Sequence, residues 1–283
     1  MLVPAGRTGN LALIDPKTLD VEVIGGFSTR GDFGGGHDDG PTSVEYAEGR
    51  LYVTDRTARE LVTVDPKLLS RIDAVALAAS PDYVRYVPGR RELWVSEPDG
   101  SQIEIFALDD AGLPKSIELI PIDNGPESLV IDPVRGRAYT HHWQGSTLAI
   151  DLATREIVGD WPNRCASSRG IALDEALGFL FVACSEGTTS VLDVDADGRV
   201  LSSVAKGSGF DVIGYEPKRR RLYLAGTSCD CLVTLGVSSG GALSFLGRVR
   251  APGEAHCAAA DDAGNAWVCD PDEGRVFRVR DSF

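Results

Sequence analysis

The sequence predicts an all-β fold, a seven-bladed β-propeller with four-stranded antiparallel blades, and three observations carry that prediction. Short runs rich in β-forming residues fill the chain, and turn residues bound them. No stretch has an apolar pattern of useful length with the period of a helix. One aromatic residue recurs at intervals of 42, 45, 42, 42 and 44 residues, giving Tyr52, Trp94, Tyr139, Phe181, Tyr223 and Trp267. Four short strands per unit at this spacing are typical of propeller blades.

A seventh copy of the repeat opens the chain. Asp15 follows Leu2 by 13 positions, as Asp65 follows Tyr52, and both copies end in Asp-Pro-Lys. We therefore predict a single propeller domain over residues 1–283. With strands lettered A (innermost) to D (outermost), the first copy begins at strand B and the last stops after strand C. Two arrangements would explain this. Either the natural chain extends upstream and forms seven blades, or the two termini share one blade of a six-bladed propeller. We favour seven blades.

The repeat resembles a known family. Leu51-Tyr52-Val53-Thr54-Asp55, followed by Leu61-Val62-Thr63-Val64-Asp65, is similar to the strand pattern of the bacterial YVTN-repeat (YncE-like) propellers. Asp55 stands where that family usually has Asn. The resemblance covers nearly the whole chain and implies the fold. It does not select a function, because such propellers serve as binding proteins, scaffolds and enzymes.

Composition and charge narrow the partners. The net charge is −14, from 42 acidic and 28 basic residues. Nucleic acid is disfavoured, since its binding depends on neutralising phosphates. The chain has no run of eighteen apolar residues, so no membrane span is expected, and its start has no signal peptide pattern. We expect a monomer that binds a small molecule or a protein partner.

Polar residues recur at one rim of the predicted propeller. The position two residues before the first apolar residue of each A strand is polar in six blades: Thr42, Asp82, Glu127, Arg169, Asp211 and His256. The ends of the B strands open on the same face with Asp55, Glu97, His141, His142, Cys184 and Asp270. The predicted ligand site is the mouth of the central channel, framed by Asp82, Glu127, Arg169, Asp211 and His256, with His37 and His142 reaching in from loops. A solvated ring of loops without a ligand is the alternative.

Metal binding is one use of that rim, because all four histidines fall on it. Glu127, Asp211 and His256 are the predicted ligands of a divalent cation, since carboxylates and neutral imidazoles are its usual protein ligands. No HExxH or comparable spacing supports the set. His141 and His142 are neighbours at a strand end, so they point to opposite faces.

The six cysteines lie on the same rim. Cys257 and Cys269 flank a turn and would face each other on adjacent strands, and Cys165 precedes the A strand whose partner ends at Cys184. We predict disulfides for these two pairs and a periplasmic or secreted location, or a cytoplasmic one if the thiols are free. Cys229-Asp230-Cys231 is harder to assign, because a CxC pair rarely closes on itself and more often joins neighbours or a metal.

Three functions follow as hypotheses. The first is an extracytoplasmic binding protein that holds a small ligand, metal or partner at the channel mouth. The second is a metal-assisted lyase or lactonase acting from the same face, by architectural analogy with streptogramin lyases and gluconolactonases. There, the predicted ligands would hold the ion and His142 or His37 would act as general base. The third is a protein-interaction scaffold. The sequence leaves open whether the protein is an enzyme.

Overall fold

The fold is that of a seven-bladed β-propeller, seen in a computed structural model that describes residues 1–29, 39–271 and 273–281. These residues form seven antiparallel sheets from 26 strands, with four short 3-10 turns and no α-helix. The terminal strands belong to two separate sheets, so the alternative of six blades is wrong. The chain divides into two compact units, residues 1–133 and 134–283, and each is described by itself. The single domain over residues 1–283 stays a prediction.

The first unit holds three blades and the inner strand of the fourth. Blade one contains β1 (Leu2–Ala5), β2 (Asn10–Ile14) and β3 (Val21–Ile24). Blade two contains β4 (Pro41–Ala47), β5 (Arg50–Asp55), β6 (Glu60–Asp65) and β7 (Ser70–Ala76). Blade three contains β8 (Val84–Val87), β9 (Glu92–Glu97), β10 (Gln102–Leu108) and β11 (Pro114–Pro121), and β12 (Glu127–Asp132) opens blade four.

The second unit holds the other strands of blade four and three further blades. Blade four continues with β13 (Arg137–His141), β14 (Ser146–Asp151) and β15 (Ile157–Pro162). Blade five contains β16 (Ser168–Asp174), β17 (Phe179–Cys184), β18 (Thr188–Asp193) and β19 (Arg199–Ala205). Blade six contains β20 (Phe210–Glu216), β21 (Arg221–Gly226), β22 (Cys231–Val237) and β23 (Leu243–Arg250). Blade seven contains β24 (Ala258–Ala260), β25 (Asn265–Asp270) and β26 (Arg275–Arg280).

The recurring aromatics occupy the second strand of their blades, as predicted, and all are buried. Trp94 is fully buried, and its indole Nε1 donates to Glu92 Oε2 at 3.1 Å. The hydroxyl of Tyr52 donates to the carbonyl of Gly112 at 2.8 Å. Each of these side chains removes a large apolar area from water while its polar atom keeps a partner. The 42-residue repeat therefore marks the packing between blades.

The two terminal blades have three described strands each. The amide of Phe27 donates to the carbonyl of Gly9 just before β2, as Leu77 donates to Arg59 before β6 and Ile122 to Ser101 before β10. The position of β2 is thus that of a C strand, and β1 is equivalent to a B strand. This agrees with the sequence alignment, in which the first copy starts at strand B. In blade seven the C strand, β26, alternates between exposed and half-buried residues, whereas β22 of blade six is buried along its whole length.

Candidate functional site

In several blades the inner strand stops pairing regularly with the second strand of its own blade at the predicted ring position. The A–B register breaks between Pro41 and Ser43 in blade two, between Ser168 and Ile171 in blade five, and between Phe210 and Ile213 in blade six. The skipped residues include Thr42, Arg169 and Asp211. An extra residue in one strand bends that strand and re-aims its side chains. The ring positions found in the sequence are thus strand irregularities in these three blades.

Three of the predicted residues occupy neighbouring positions in the second unit. A Cβ on Gly170, next to Arg169, would lie 2.0 Å from the carbonyl oxygen of Asp211. The amide of Val212 donates to the carbonyl of His256 at 2.9 Å, and a parallel bridge joins Val212 to Cys257. The backbone that leaves the blade's own ladder therefore meets the inner strand of the next blade. We call Arg169, Asp211 and His256 the inner row.

Arg169 has a fixed environment. Its guanidinium lies over the ring of Trp143, 5.0 Å from the centroid, and its Nη1 donates to the carbonyl of Ser168 at 2.9 Å. A guanidinium stacked on an aromatic ring keeps its positive charge and its planar donor geometry, which suit an anionic group. Trp143 is not among the residues predicted from the sequence, although it directly follows His142. The Nδ1 of His142 lies 2.9 Å from Ser146 Oγ.

The tautomer of His256 follows from its partner. Nδ1 lies 2.9 Å from the carbonyl oxygen of Glu254. A carbonyl oxygen only accepts, so Nδ1 carries the proton and donates. In the neutral ring, Nε2 then holds the lone pair that a metal ion or a proton requires.

A buried polar network lies beneath Arg169. The Nδ2 of Asn163 donates to Ser168 Oγ at 3.0 Å and to Thr147 Oγ1 at 3.2 Å, and Thr147 Oγ1 lies 2.9 Å from Nδ1 of His141. Burial lowers the pKa of His141 to about 4, so this ring is neutral at neutral pH. His141 is fully buried and His142 is half-buried. The expectation that the two neighbours face different ways agrees with this.

In the first unit, Asp82 forms an ion pair. Its Oδ1 lies 3.0 Å from Nη2 of Arg56, and both side chains are mostly buried. Nε of Arg56 donates to the carbonyl of Pro81 at 2.8 Å. The negative charge that the sequence assigns to Asp82 is therefore compensated locally. Glu127 is the first residue of β12 and is buried.

Apart from the half-buried His142, the residues at the ends of the B strands are buried, which the polar–apolar pattern does not predict. Asp55 accepts hydrogen bonds from the amides of Ser28, at 2.7 Å, and of Ala58, at 3.2 Å. Asp270 accepts from the amide of Glu273 at 3.3 Å. Carboxylates that bond to backbone amides in this way hold turns together. Asp55 and Asp270 therefore stabilise the rim.

Glu97, in the same position in blade three, is a buried carboxyl with an unusual titration. It is fully buried; Oε2 accepts from Nε2 of Gln102 at 2.7 Å, while Oε1 has no hydrogen-bond partner among the described residues. Burial raises the pKa of Glu97 to about 7, and the neighbouring Glu104 carboxyl adds to the rise, which the Gln102 bond opposes.

Three disulfides brace the rim of the second unit. Cys165–Cys184 and Cys257–Cys269 are paired, as predicted. The third bond joins Cys229 to Cys231, so the expectation that this CxC pair does not close on itself is wrong. The backbone explains the closure: a 3-10 turn over Thr227–Cys229 is followed by Asp230 at φ 46°, and the two cysteine Cα atoms come within 5.2 Å.

Two of the cysteines belong to a group of three residues whose potential metal-ligand atoms lie close together. Cys165, Cys184 and Glu186 place one potential ligand atom each within 4.8 Å of the others. Both sulfurs belong to a disulfide, and Glu186 accepts from the amides of Ala166, at 2.7 Å, and of Ser167, at 3.1 Å. This group is therefore a structural brace. The predicted cation ligands Glu127, Asp211 and His256 stay a prediction, and His37 lies outside the described residues.

The described chain has no helix with the length and hydropathy needed to cross a bilayer. No family model and no curated protein matches the sequence.

Solved structures share the fold at low sequence identity. A structure of hydrazine synthase from Kuenenia stuttgartiensis matches with a TM-score of 0.76 at 13% identity, over 97% of this chain and 90% of that one. A chain of the mitotic checkpoint complex matches with 0.79 at 14%, over 99% and 84%. A candidate 6-phosphogluconolactonase from Bacteroides fragilis matches with 0.69 at 12%, over 88% and 83%. At such identities the similarity establishes the propeller fold alone.

Proposed function

We propose that the protein is an extracytoplasmic β-propeller binding protein of the YVTN (YncE-like) type, which holds a small ligand, metal ion or partner at the rim that carries the inner row. The observation that carries the proposal is the inner row itself. Arg169 and Asp211 lie where the inner strands of blades five and six leave their ladders, and His256 lies just before the inner strand of blade seven. Polar side chains presented in this way from a rigid scaffold are typical of binding sites. The three disulfides support an oxidising compartment.

The side chains of the row suggest what they bind. Asp211 offers a carboxylate and His256 an imidazole Nε2 acceptor, which are ligand groups for a divalent cation. Arg169, stacked on Trp143, carries a positive charge that attracts an anion. A divalent cation that carries an anionic ligand would use both kinds of group: Asp211 and His256 would bind the cation, and Arg169 would bind the anion. The net charge of −14 further favours accumulation of cations near the protein.

Calorimetric titration of the full chain with Mn²⁺ and Zn²⁺, with and without a small carboxylate such as citrate, tests this proposal. We expect His256→Ala and Asp211→Asn to reduce cation affinity at least tenfold. Arg169→Gln should remove the increase in cation affinity that the added carboxylate provides. Glu127→Ala tests the remaining predicted ligand. Asp262→Asn, in the exposed turn between β24 and β25, is the control and should bind as the unmodified protein does. Absence of cation binding at millimolar concentration, or equal binding by all variants, would overturn the proposal.

A lactonase is the second candidate, and the observation that favours it is the shared fold with candidate 6-phosphogluconolactonases. Hydrolysis of 6-phosphogluconolactone, followed with and without a divalent cation, tests it. His142 or His37 is the general base of this alternative, so His142→Ala or His37→Ala should abolish hydrolysis. A rate equal to the spontaneous one, or unchanged hydrolysis by both variants, would exclude it. A protein that binds neither cation nor lactone would instead support the scaffold hypothesis.

A further inference from the structure

The Cys229–Cys231 disulfide differs from the other two in how much chain it encloses. Its cysteines are 2 residues apart, whereas the separations of the other pairs are 19 and 12. A disulfide stabilises a fold mainly by restricting the unfolded chain, and a shorter loop restricts it less. Reduction of this bond therefore costs the fold less than reduction of either other pair.

The two sulfurs of this bond also differ in accessibility. Cys229 is half-buried at the end of the short turn Thr227–Cys229, whereas Cys231 begins β22 and is 4% exposed. Gly226 lies against Cys229: a Cβ on this glycine would lie 2.9 Å from Sγ of Cys229 and 2.3 Å from the carbonyl of Ser208. An incoming sulfur therefore reaches Cys229 before Cys231.

A basic residue is paired with Cys231 across the ladder between β22 and β23. Arg250 of β23 is the direct cross-strand partner of Cys231, and side chains at such paired positions have Cβ atoms about 4.5–5.5 Å apart. Arg250 forms no ion pair among the described residues. A neighbouring positive charge favours a thiolate and makes it a better leaving group. Asp230 opposes this effect, although its Oδ1 is turned towards Gly253, 3.4 Å from where a Cβ on that residue would lie.

We propose that Cys229–Cys231 is a redox-active disulfide that oxidises dithiol segments of other polypeptides by thiol–disulfide exchange. A client thiolate attacks Sγ of Cys229, and a new sulfur–sulfur bond forms there. The Cys229–Cys231 bond breaks, and its electron pair leaves on Sγ of Cys231, beside Arg250. The second client thiolate then attacks the client sulfur of the mixed disulfide and displaces Cys229. The client loses two electrons and two protons, and Cys229 and Cys231 end as two thiols.

This activity does not use the inner row. The protein could bind a cation at the inner row without exchanging disulfides, and it could exchange disulfides without binding a cation. The two proposals are therefore tested separately.

Limited reduction of the unmodified full chain is the first test. The protein is treated with small amounts of dithiothreitol, quenched with an alkylating reagent over time, and digested for mass spectrometry. We expect Cys229 and Cys231 to be alkylated at least tenfold faster than the four other cysteines. Equal rates for all three pairs, slower opening of this pair, or the absence of a bond between Cys229 and Cys231 would overturn the proposal.

Single substitutions test the roles of the two sulfurs and of the arginine. With Cys231→Ser, the free Cys229 should form a mixed disulfide with an oxidised CxxC peptide, whereas Cys229→Ser should react at least tenfold more slowly. Arg250→Gln should slow reduction of the intact disulfide about threefold. Arg248→Gln, two residues away on the same strand, is the matched control and should change little. Equal reactivity of the two cysteine variants, or equal effects of the two arginine variants, would contradict the mechanism.

Discussion

Replacing Glu97 with glutamine should change how stability depends on pH. Glu97 is fully buried in blade three, and only one of its carboxyl oxygens has a hydrogen-bond partner among the described residues. A glutamine keeps the carbonyl oxygen that accepts from Gln102 and has no charge to bury. The substitution therefore removes a titration and preserves the volume.

The size and sign of the effect follow from the pKa of Glu97. Burial, aided by the Glu104 carboxyl, raises this pKa from 4.5 to about 7. One pKa unit corresponds to about 1.4 kcal/mol, so the full rise corresponds to about 3 kcal/mol. The folded protein holds the proton more tightly than the unfolded chain, so the stabilisation is complete below pH 4.5. It is lost as pH rises through 7.

Urea unfolding at pH 4.5, 6, 7 and 8 measures this contribution. Relative to Glu97→Gln, the unmodified protein should lose up to about 3 kcal/mol of unfolding free energy across this range. Glu104→Gln should reduce this loss without abolishing it, because burial is the larger cause. Glu118→Gln, exposed in the same blade, is the control and should leave the pH profile unchanged. Parallel profiles for Glu97→Gln and the unmodified protein would refute the reasoning.

Three further substitutions test the packing and the bracing of the rim. Trp94→Ala, which empties a fully buried position, should cost about 3–5 kcal/mol of unfolding free energy, and a loss below about 1 kcal/mol would contradict the assigned packing. Gly226→Ala places a Cβ 2.3 Å from a backbone oxygen, so we expect a loss of about 1–3 kcal/mol, measured in urea; an unchanged midpoint would show that the rim opens freely. Replacing Cys257 and Cys269 together with serine should cost about 2–3 kcal/mol, and peptide mapping that finds these thiols free in the unmodified protein would refute the bond.

The sequence predicts the blades well, for a physical reason. Six of the seven blades bury an aromatic residue of the second strand, so the same packing requirement recurs along the chain and leaves a period that can be read. Trp94 and Tyr223 sit in blades of different sequence and are buried alike. The cysteine pairs could be predicted because hairpin registers place Cys257 opposite Cys269 and Cys165 near Cys184.

The sequence alone does not distinguish the polar rim residues that stabilise turns from those of the inner row. Asp55 and Asp211 are both carboxylates close to a strand end. Asp55 is buried and accepts backbone hydrogen bonds, whereas Asp211 is half-buried where β20 leaves its ladder. The difference lies in the pairing register, which a polar–apolar pattern does not encode. Trp143 was missed for a similar reason, because its role depends on the stacking of Arg169 and not on the 42-residue period.

Two of the three disulfides of the second unit lie at the end of the β ladder between the inner and the second strand. In blade five, Ser168 pairs with Cys184 and the register then breaks until Ile171, and the Cys165–Cys184 bond spans the same end of the sheet. In blade seven the ladder begins at Ala258, and Cys257–Cys269 ties the strands just outside it. A strand end that turns towards the neighbouring blade loses ladder hydrogen bonds, and a covalent bond holds it without requiring ladder geometry. The same bracing fixes the backbone that presents the inner row, so loss of either bond should loosen ligand binding before it unfolds the blades.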